Sequence, residues 1–149
     1  MARAERTYVD PSALLKLYLH EPASAAMSTW RARTKGALPV TPHGRLEIVN
    51  EICLAAFRKV ITLEALNDAL ASFEEDLAEG RYVEADVLWR ATLRRARELS
   101  QSHTPTLGCR TLDVLHVATA LELGLQSFVT FDSRQRRLAV AAGLKVVTP

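Results

Sequence analysis

The stretch TLDVLHVATALELGLQSFVTFDSR, residues 111–134, predicts a helix, a strand and the start of a second helix in direct succession. Gly124 is placed to end the first helix, and LQSFVTFD is apolar enough for a buried strand. Asp113 lies at the start of the helix, and Asp132 closes the strand. The inward face of the helix is predicted to comprise Val114, Val117, Ala118 and Leu121.

The same alternation of strand and helix runs along the rest of the chain. TYVDPSALLKLYL predicts a short strand followed by a helix, with Asp10 as N-cap and Pro11 as first residue. GALPVTP and LKVVTP predict two further strands. The strands are continuously apolar, as in a parallel sheet covered on both faces. We therefore expect an α/β protein, a three-layer α/β/α sandwich with a central, mostly parallel sheet of four to five strands, in a single domain over residues 1–149.

The helices between these strands are predicted from their periodicity and end signals. One helix is expected from about Arg45, Thr62 is expected to cap the next, and Gly80 to end it. A charge-rich helix is expected over 83–101, followed by SHTPTLGC as a loop and by Thr111 as an N-cap candidate. The buried face of the helix from Arg45 is expected to comprise Leu46, Val49, Cys53, Ala56 and Val60.

Composition is that of an ordinary globular protein. Of the 149 residues 48% are hydrophobic and 24% charged, which argues against a disordered or membrane protein. No apolar run approaches the roughly 20 residues of a membrane span, so we expect a cytoplasmic protein. Cys53 and Cys109 lack zinc-site spacing and are expected to be buried thiols. The net charge of +2 neither requires nor excludes nucleic acid.

Four acidic residues are placed to meet at one edge of the sheet. Asp10 and Asp132 follow strands, at the carboxyl ends where open parallel sheets bind ligands. Asp113 begins the helix that leads into the Asp132 strand, and Glu47 lies about one turn into the helix after ALPVT. Alternatively, Asp10, Asp113 and Asp132 are helix caps, favoured by free N–H groups. Against this, Thr111 already offers a cap, and Glu47 lies beyond the first free N–H groups.

The chemistry of such a cluster follows from its charge. Carboxylates this close repel one another, so the arrangement is stable only if cations occupy it. Mg²⁺ or Mn²⁺ takes oxygen ligands, retains waters and commonly binds substrate phosphate. One or two such ions activate a bound water and neutralise charge on the leaving oxygen. The acids therefore predict hydrolysis of phosphodiesters.

The order of these motifs resembles one known family. YVDPSALLKLYLHEP, GRLEIVNEI, RTLDVLHVATALELG and SFVTFDSRQRRLAVAAGLKVV resemble the PIN-domain ribonucleases, specifically the VapC-type toxins of prokaryotic toxin–antitoxin pairs. The resemblance spans nearly the whole chain. It implies a metal-dependent endoribonuclease, usually a homodimer, inhibited by an antitoxin protein that occludes the acidic pocket. It implies that the metal is held by Asp10, Glu47, Asp113 and Asp132, with Ser12 as the small polar residue after the first strand.

Three polar residues are candidates for supporting this site. His116 lies one turn after Asp113 and is either a partner or base for the site or, as we favour, a packed histidine with hydrogen bonds to nearby groups. Thr130 either orients Asp132 or simply favours the strand. Asn50 either bonds to Glu47 or faces solvent.

Two groups of arginines are candidates for RNA binding. Arg94 belongs to a helical run with Arg90 and Arg97, which is either a solvated face or a phosphate-binding stripe. The other group stands immediately after the last acid, where it could hold the substrate backbone: Arg134, Arg136 and Arg137.

Two other classes of function remain open. The first is a catalytically silent module of the same fold, which dimerises and binds a partner protein while its acids serve as caps. The second is a phosphoryl-accepting domain with an aspartyl nucleophile. It is disfavoured because Pro11 and Ser12, rather than a second acid, follow Asp10, and because VVTP lacks a late lysine.

Overall fold

The computed structural model describes residues 3–149, and within them parallel strands alternate with α-helices. A short 3-10 turn (Ala4–Arg6) precedes the first strand. The strands are β1 (Thr7–Val9), β2 (Leu38–Val40), β3 (Tyr82–Glu84), β4 (Ser127–Val129) and β5 (Lys145–Val147). The helices are α1 (Pro11–Leu15), α2 (Ser24–Arg33), α3 (Pro42–Phe57), α4 (Leu63–Ala78), α5 (Trp89–Leu107), α6 (Thr111–Glu122) and α7 (Ser133–Ala141).

The strands form a three-stranded sheet with a two-stranded sheet beside it. β4 pairs in parallel with both β1 and β5, so that Tyr8, Phe128 and Val146 lie in register. β2 pairs in parallel with β3, with Leu38 opposite Tyr82, and β2 contacts β1. The predicted α/β class with a parallel sheet is confirmed, with the strands divided between two sheets.

Helices cover both faces of the three-stranded sheet, because neighbouring strand residues enter different cores. Val9 and Val129 join one buried cluster, and Tyr8 and Phe128 join the other. The first cluster is completed by α1 to α4, through residues such as Leu14, Met27, Ile52 and Phe73. The second is completed by α5 to α7, through Leu99, Val117 and Leu138. This is the predicted three-layer arrangement.

The buried face of α3 differs from the predicted one. Ile48, Ile52 and Ala55 are buried, whereas Leu46 and Val60 are 68% and 74% exposed. Both sets of residues recur at steps of three and four, so the sequence pattern fitted two faces of one helix. Packing against α1 and α4 decided between them. Of the other predicted residues on that face, Cys53 is exposed and Val49 and Ala56 are half-buried.

The region after α4 also differs from the prediction. Residues 82–84 form β3 instead of the start of a helix, and α5 begins only at Trp89. Tyr82 is buried and paired with Leu38, so strand pairing overrides the charge-rich helical pattern. The ends predicted for α4 are confirmed by a hydrogen bond from the Ala65 N–H to the Thr62 hydroxyl and by positive φ at Gly80.

The segment SHTPTLGC, predicted as a loop, mostly continues α5. The helix runs to Leu107 with Pro105 in its last turn, and it ends at Gly108, where φ is +66°. The glycine, not the proline, therefore supplies the stop. Arg110 occupies the N-cap position of α6 and Thr111 is its first residue, so the prediction of Thr111 as a cap was wrong.

Two further observations concern composition. Cys109 is a buried thiol as predicted, whereas Cys53 is exposed on α3. Among residues 3–149, no helix is long and apolar enough to cross a membrane.

Candidate active site

Asp10 follows β1 and is the most buried of the four predicted acids, with 4% of its surface exposed. It caps α1, since its Oδ2 accepts the Ser12 N–H at 3.0 Å and the Ser12 hydroxyl as well. Its Oδ1 accepts a hydrogen bond from the side-chain amide of Gln135 at 2.8 Å. The capping alternative is therefore correct for Asp10 but accounts for only one of its two oxygens.

Asp132 stands three residues beyond β4 and caps α7. Its Oδ1 accepts the backbone N–H groups of Arg134 at 2.9 Å and Gln135 at 2.8 Å. Its own N–H donates to the Thr130 hydroxyl at 3.1 Å. Thr130 thus contacts the backbone of Asp132, and it is buried just beyond the end of β4.

Asp113 lies in the first turn of α6 and is held by a cation. Its Oδ2 accepts the Nε of Arg110 at 3.0 Å, and the Nη2 of the same guanidinium lies 3.8 Å from Asp132. The pKa of Arg110 is raised, first by its hydrogen bond to Asp113 and then by the negative charge of Asp113. The charges of Asp132 and Asp10 raise it further. One guanidinium therefore brings Asp113 and Asp132 together, although 73% of its side chain is exposed.

Glu47, in the second turn of α3, is held by a buried chain of hydrogen bonds. Its Oε2 lies 2.6 Å from Nε2 of His116, and Nδ1 of His116 lies 2.6 Å from the Tyr8 hydroxyl. Burial raises the pKa of Tyr8 well above its usual range, while a hydrogen bond from Thr41 opposes that rise. A carboxylate only accepts hydrogen bonds, so Nε2 of His116 donates to Glu47, and Nδ1 faces the Tyr8 hydroxyl.

His43 backs this chain and was not singled out by sequence reasoning. Its ring stacks on that of His116 with centroids 5.1 Å apart, and Trp89 packs on it at 4.9 Å. Among residues 3–149, its buried Nδ1 has no hydrogen-bond partner. Burial lowers the pKa of His43 to about 4, with His116 lowering it further and Glu47 opposing the shift. A polar residue in the first turn of α3 was the only sequence signal.

A cleft of about 320 Å³ opens beside Glu47. Its walls carry both signs of charge, negative from Glu21, Glu47 and Glu51 and positive from Lys16 and Arg110. Ser12 also lines it, and Lys16 is paired with Glu21 at 2.6 Å. The charged lining of the cleft therefore consists of three glutamates and two cations, and one of these cations, Lys16, is already paired.

The remaining predicted residues are on the surface. Asn50 is exposed, and no hydrogen bond joins its side chain to Glu47, so the solvent-facing alternative describes it. Arg94 is exposed on α5, where its neighbour Arg95 pairs with Glu122 at 2.9 Å. The arginines after Asp132 are also exposed: Arg134, Arg136 and Arg137.

The donor set suits a hard divalent cation in its chemistry but is not assembled around one point. All four acids offer carboxylate oxygens, the ligands that Mg²⁺ and Mn²⁺ prefer. In the described chain, residues 3–149, no group of three or more His, Cys, Asp or Glu side chains is arranged to hold a metal ion. Arg110 instead supplies positive charge to Asp113 and Asp132.

Comparison with known proteins gives two matches. A family model described as the PIN domain matches residues 7–141. The chain is 31% identical over 144 residues to Ribonuclease VapC46 of Mycobacterium tuberculosis (strain ATCC 25618 / H37Rv), covering 95% of this chain and 96% of that protein.

Proposed function

This chain belongs to the PIN domain family, and we propose that it is a divalent-metal-dependent endoribonuclease in a single domain over residues 1–149. The observation that carries the proposal is the linkage of the acids. One guanidinium contacts Asp113 and Asp132, and Gln135 contacts Asp132 and Asp10. A relative named as a ribonuclease supports RNA as the substrate.

We propose that Asp10, Glu47, Asp113 and Asp132 hold the ion, Mg²⁺ or Mn²⁺. When bound, it supplies an activated water and neutralises charge at the leaving oxygen. The chain's own residues orient the carboxylates. Ser12 donates to Asp10, and His116 donates to Glu47. Thr130 accepts the N–H of Asp132 and so supports the turn that carries this acid.

RNA would be held mainly through its phosphates. Arg134, Arg136 and Arg137 are exposed directly after Asp132, so their guanidinium groups can reach a backbone that enters the cleft. Arg94 on α5 would contact further phosphates along the RNA backbone. Cations at these places add affinity without base specificity, because phosphates carry no sequence information.

We propose that the protein acts as the toxin of a toxin–antitoxin pair, in the cytoplasm where RNA and a protein antitoxin are both present. The antitoxin would cover the acidic cleft. We also propose a homodimer, supported by an apolar stripe on and just after α3, where Leu46, Phe57 and Val60 are 68%, 82% and 74% exposed. A protein that sediments as a monomer at every concentration would contradict the dimer.

The central test is cleavage of a panel of structured and unstructured RNAs by antitoxin-free protein with Mg²⁺, with Mn²⁺ and with EDTA. We expect cleavage only with metal. The cleavage activity of Asp10→Asn should fall by more than roughly 100-fold, which is the loss expected for a residue that only supports a metal ligand. Asp68→Asn, at an exposed position on α4, is the control and should cleave normally. Cleavage in EDTA, or unimpaired cleavage by Asp10→Asn, would refute the enzyme.

A silent interaction module is the second candidate, favoured by the lack of an assembled ligand group within residues 3–149. Calorimetry separates the two candidates. A nuclease should bind Mn²⁺ in wild type and lose that binding in Asp10→Asn, whereas a silent module should show no difference between them.

A further inference from the structure

Gln135 is a fully buried amide that connects two of the acids. None of its surface is exposed, although it lies in the first turn of α7, next to exposed arginines. Its backbone N–H donates to Asp132 at 2.8 Å, and its side-chain Nε2 donates to Asp10 at 2.8 Å. Its Oε1 accepts the Thr130 hydroxyl at 2.6 Å. Every polar group of this side chain therefore has a partner.

The direction of these hydrogen bonds is determined by the groups involved. The Asp132 N–H can only donate, so the Thr130 oxygen accepts it and directs its own proton elsewhere. That proton goes to Oε1 of Gln135, which leaves the NH₂ group facing Asp10. A flipped amide would place its oxygen 2.8 Å from Oδ1 of Asp10, and a carboxylate can only accept a hydrogen bond. The hydroxyl of Thr130 thus supports the orientation of Gln135 in which the NH₂ group faces Asp10.

We propose that Gln135 is a positioning residue that fixes the carboxylate of Asp10 for binding the metal ion, with Thr130 acting through it. This inference rests on the proposed function. Asp10 follows the end of β1, and Asp132 follows the end of the neighbouring strand β4. Gln135 donates a hydrogen bond to each carboxylate, so it also sets the distance between them. Buried partners of a metal-binding carboxylate commonly change metal affinity or activity by about 10- to 100-fold.

If Gln135 served only to fill the core, its side chain would not need to be polar. An apolar side chain of similar length would fill the same space in the core, with no amide donor left to satisfy. Position 135 instead carries a polar side chain whose amide donates a hydrogen bond to Asp10, a predicted metal ligand. The two roles are separable because packing affects the stability of the metal-free protein, whereas positioning affects its affinity for metal.

The test is Mn²⁺ affinity by calorimetry, with thermal unfolding in EDTA measured on the same samples. Gln135→Met keeps the side-chain length and removes the donor, and we expect its affinity to fall by about 10- to 100-fold. Thr130→Val should lower the affinity in the same direction, and Thr130→Ser should restore it. Gln126→Met, which alters an exposed amide before β4, is the matched control and should bind as wild type does.

The double variant Gln135→Met with Thr130→Val distinguishes action in series from independent effects. If Thr130 acts through Gln135, the double variant should bind no more weakly than Gln135→Met alone. Wild-type affinity in folded Gln135→Met, or losses that simply multiply in the double variant, would overturn the proposal. If wild type itself neither binds Mn²⁺ nor cleaves RNA, it is the proposed function that fails.

Discussion

Asp10 and Asp113 are held by different kinds of partner. Asp10 is almost completely buried, and its partners are neutral donors, the amide of Gln135 and the N–H and hydroxyl of Ser12. Asp113 is held by the largely exposed guanidinium of Arg110. The buried amide of Gln135 cannot move away without leaving unpaired groups, whereas an exposed cation exchanges with water at little cost. Folding therefore presets one part of the site and leaves the other free to exchange its cation.

The largest expected effect is a difference in stability between two alanine variants. Asp10→Ala removes a cap and leaves the buried Nε2 donor of Gln135 unpaired, so we expect about 2 to 4 kcal/mol of destabilisation. Asp113→Ala removes a pair with an exposed arginine and should cost under about 1 kcal/mol. Urea unfolding in EDTA measures both. Each variant also removes one carboxylate and so relieves repulsion among the acids to a similar extent. Equal unfolding free energies for the two variants would therefore contradict the proposed difference between Asp10 and Asp113.

Removing the exchangeable cation should strengthen metal binding. Arg110→Gln leaves Asp113 and Asp132 without their guanidinium, and we expect Mn²⁺ affinity to rise by up to about 5-fold, the size of a surface ion pair. Calorimetry measures the change. Arg95→Gln breaks a comparable pair with Glu122 on another surface and is the control. Weaker binding by Arg110→Gln would show that Arg110 assists the ion instead of competing with it.

The smallest expected effect concerns protons behind Glu47. The pKa of His43 is about 4 in the folded protein and 6.5 in the unfolded chain, so the unfolded chain binds more protons between these values. Stability should therefore fall as pH drops from about 6.5 to about 4. We expect a change on the order of 1 kcal/mol, reduced by solvent screening because the ring is only partly buried.

His43→Gln should flatten this part of the pH profile, measured as unfolding midpoints between pH 4 and 7. Arg110→Gln should leave the pH profile of the unfolding midpoint unchanged, because Arg110 lies in the exposed part of the site and does not contact the ring of His43. If wild type and His43→Gln show the same profile, the ring of His43 is not the group that resists protonation.

The positions of the acids were predictable from local patterns. Asp10 and Asp132 follow short apolar strands, and parallel strands end at the same edge of a sheet, so their proximity followed from chain order. Asp113 followed from the helix between them. Their supporting residues did not follow, because Gln135 and Asp10 are separated by 125 residues, and nothing near Gln135 indicates its partner.

The errors in secondary structure have a similar cause. The residues of α3 fit two apolar faces at the same spacing of three and four, and the predicted face contains Leu46, which is largely exposed. β3 was missed because its few residues lie in a charged context and depend on pairing with β2. In both cases local propensity was weak, and contacts with distant residues decided the outcome.

The sequence by itself determined the α/β class, the order of the strands and helices other than β3, and the type of chemistry that four carboxylates can support. Apolar periodicity and end signals are local properties, so they can be read without knowing the fold. Only the tertiary structure decided which face of α3 is buried, that Gln135 reaches Asp10, and that Arg110 reaches both Asp113 and Asp132. Those contacts join residues that are distant in the chain or lie on different turns, and their geometry exists only once the sheet and helices have packed.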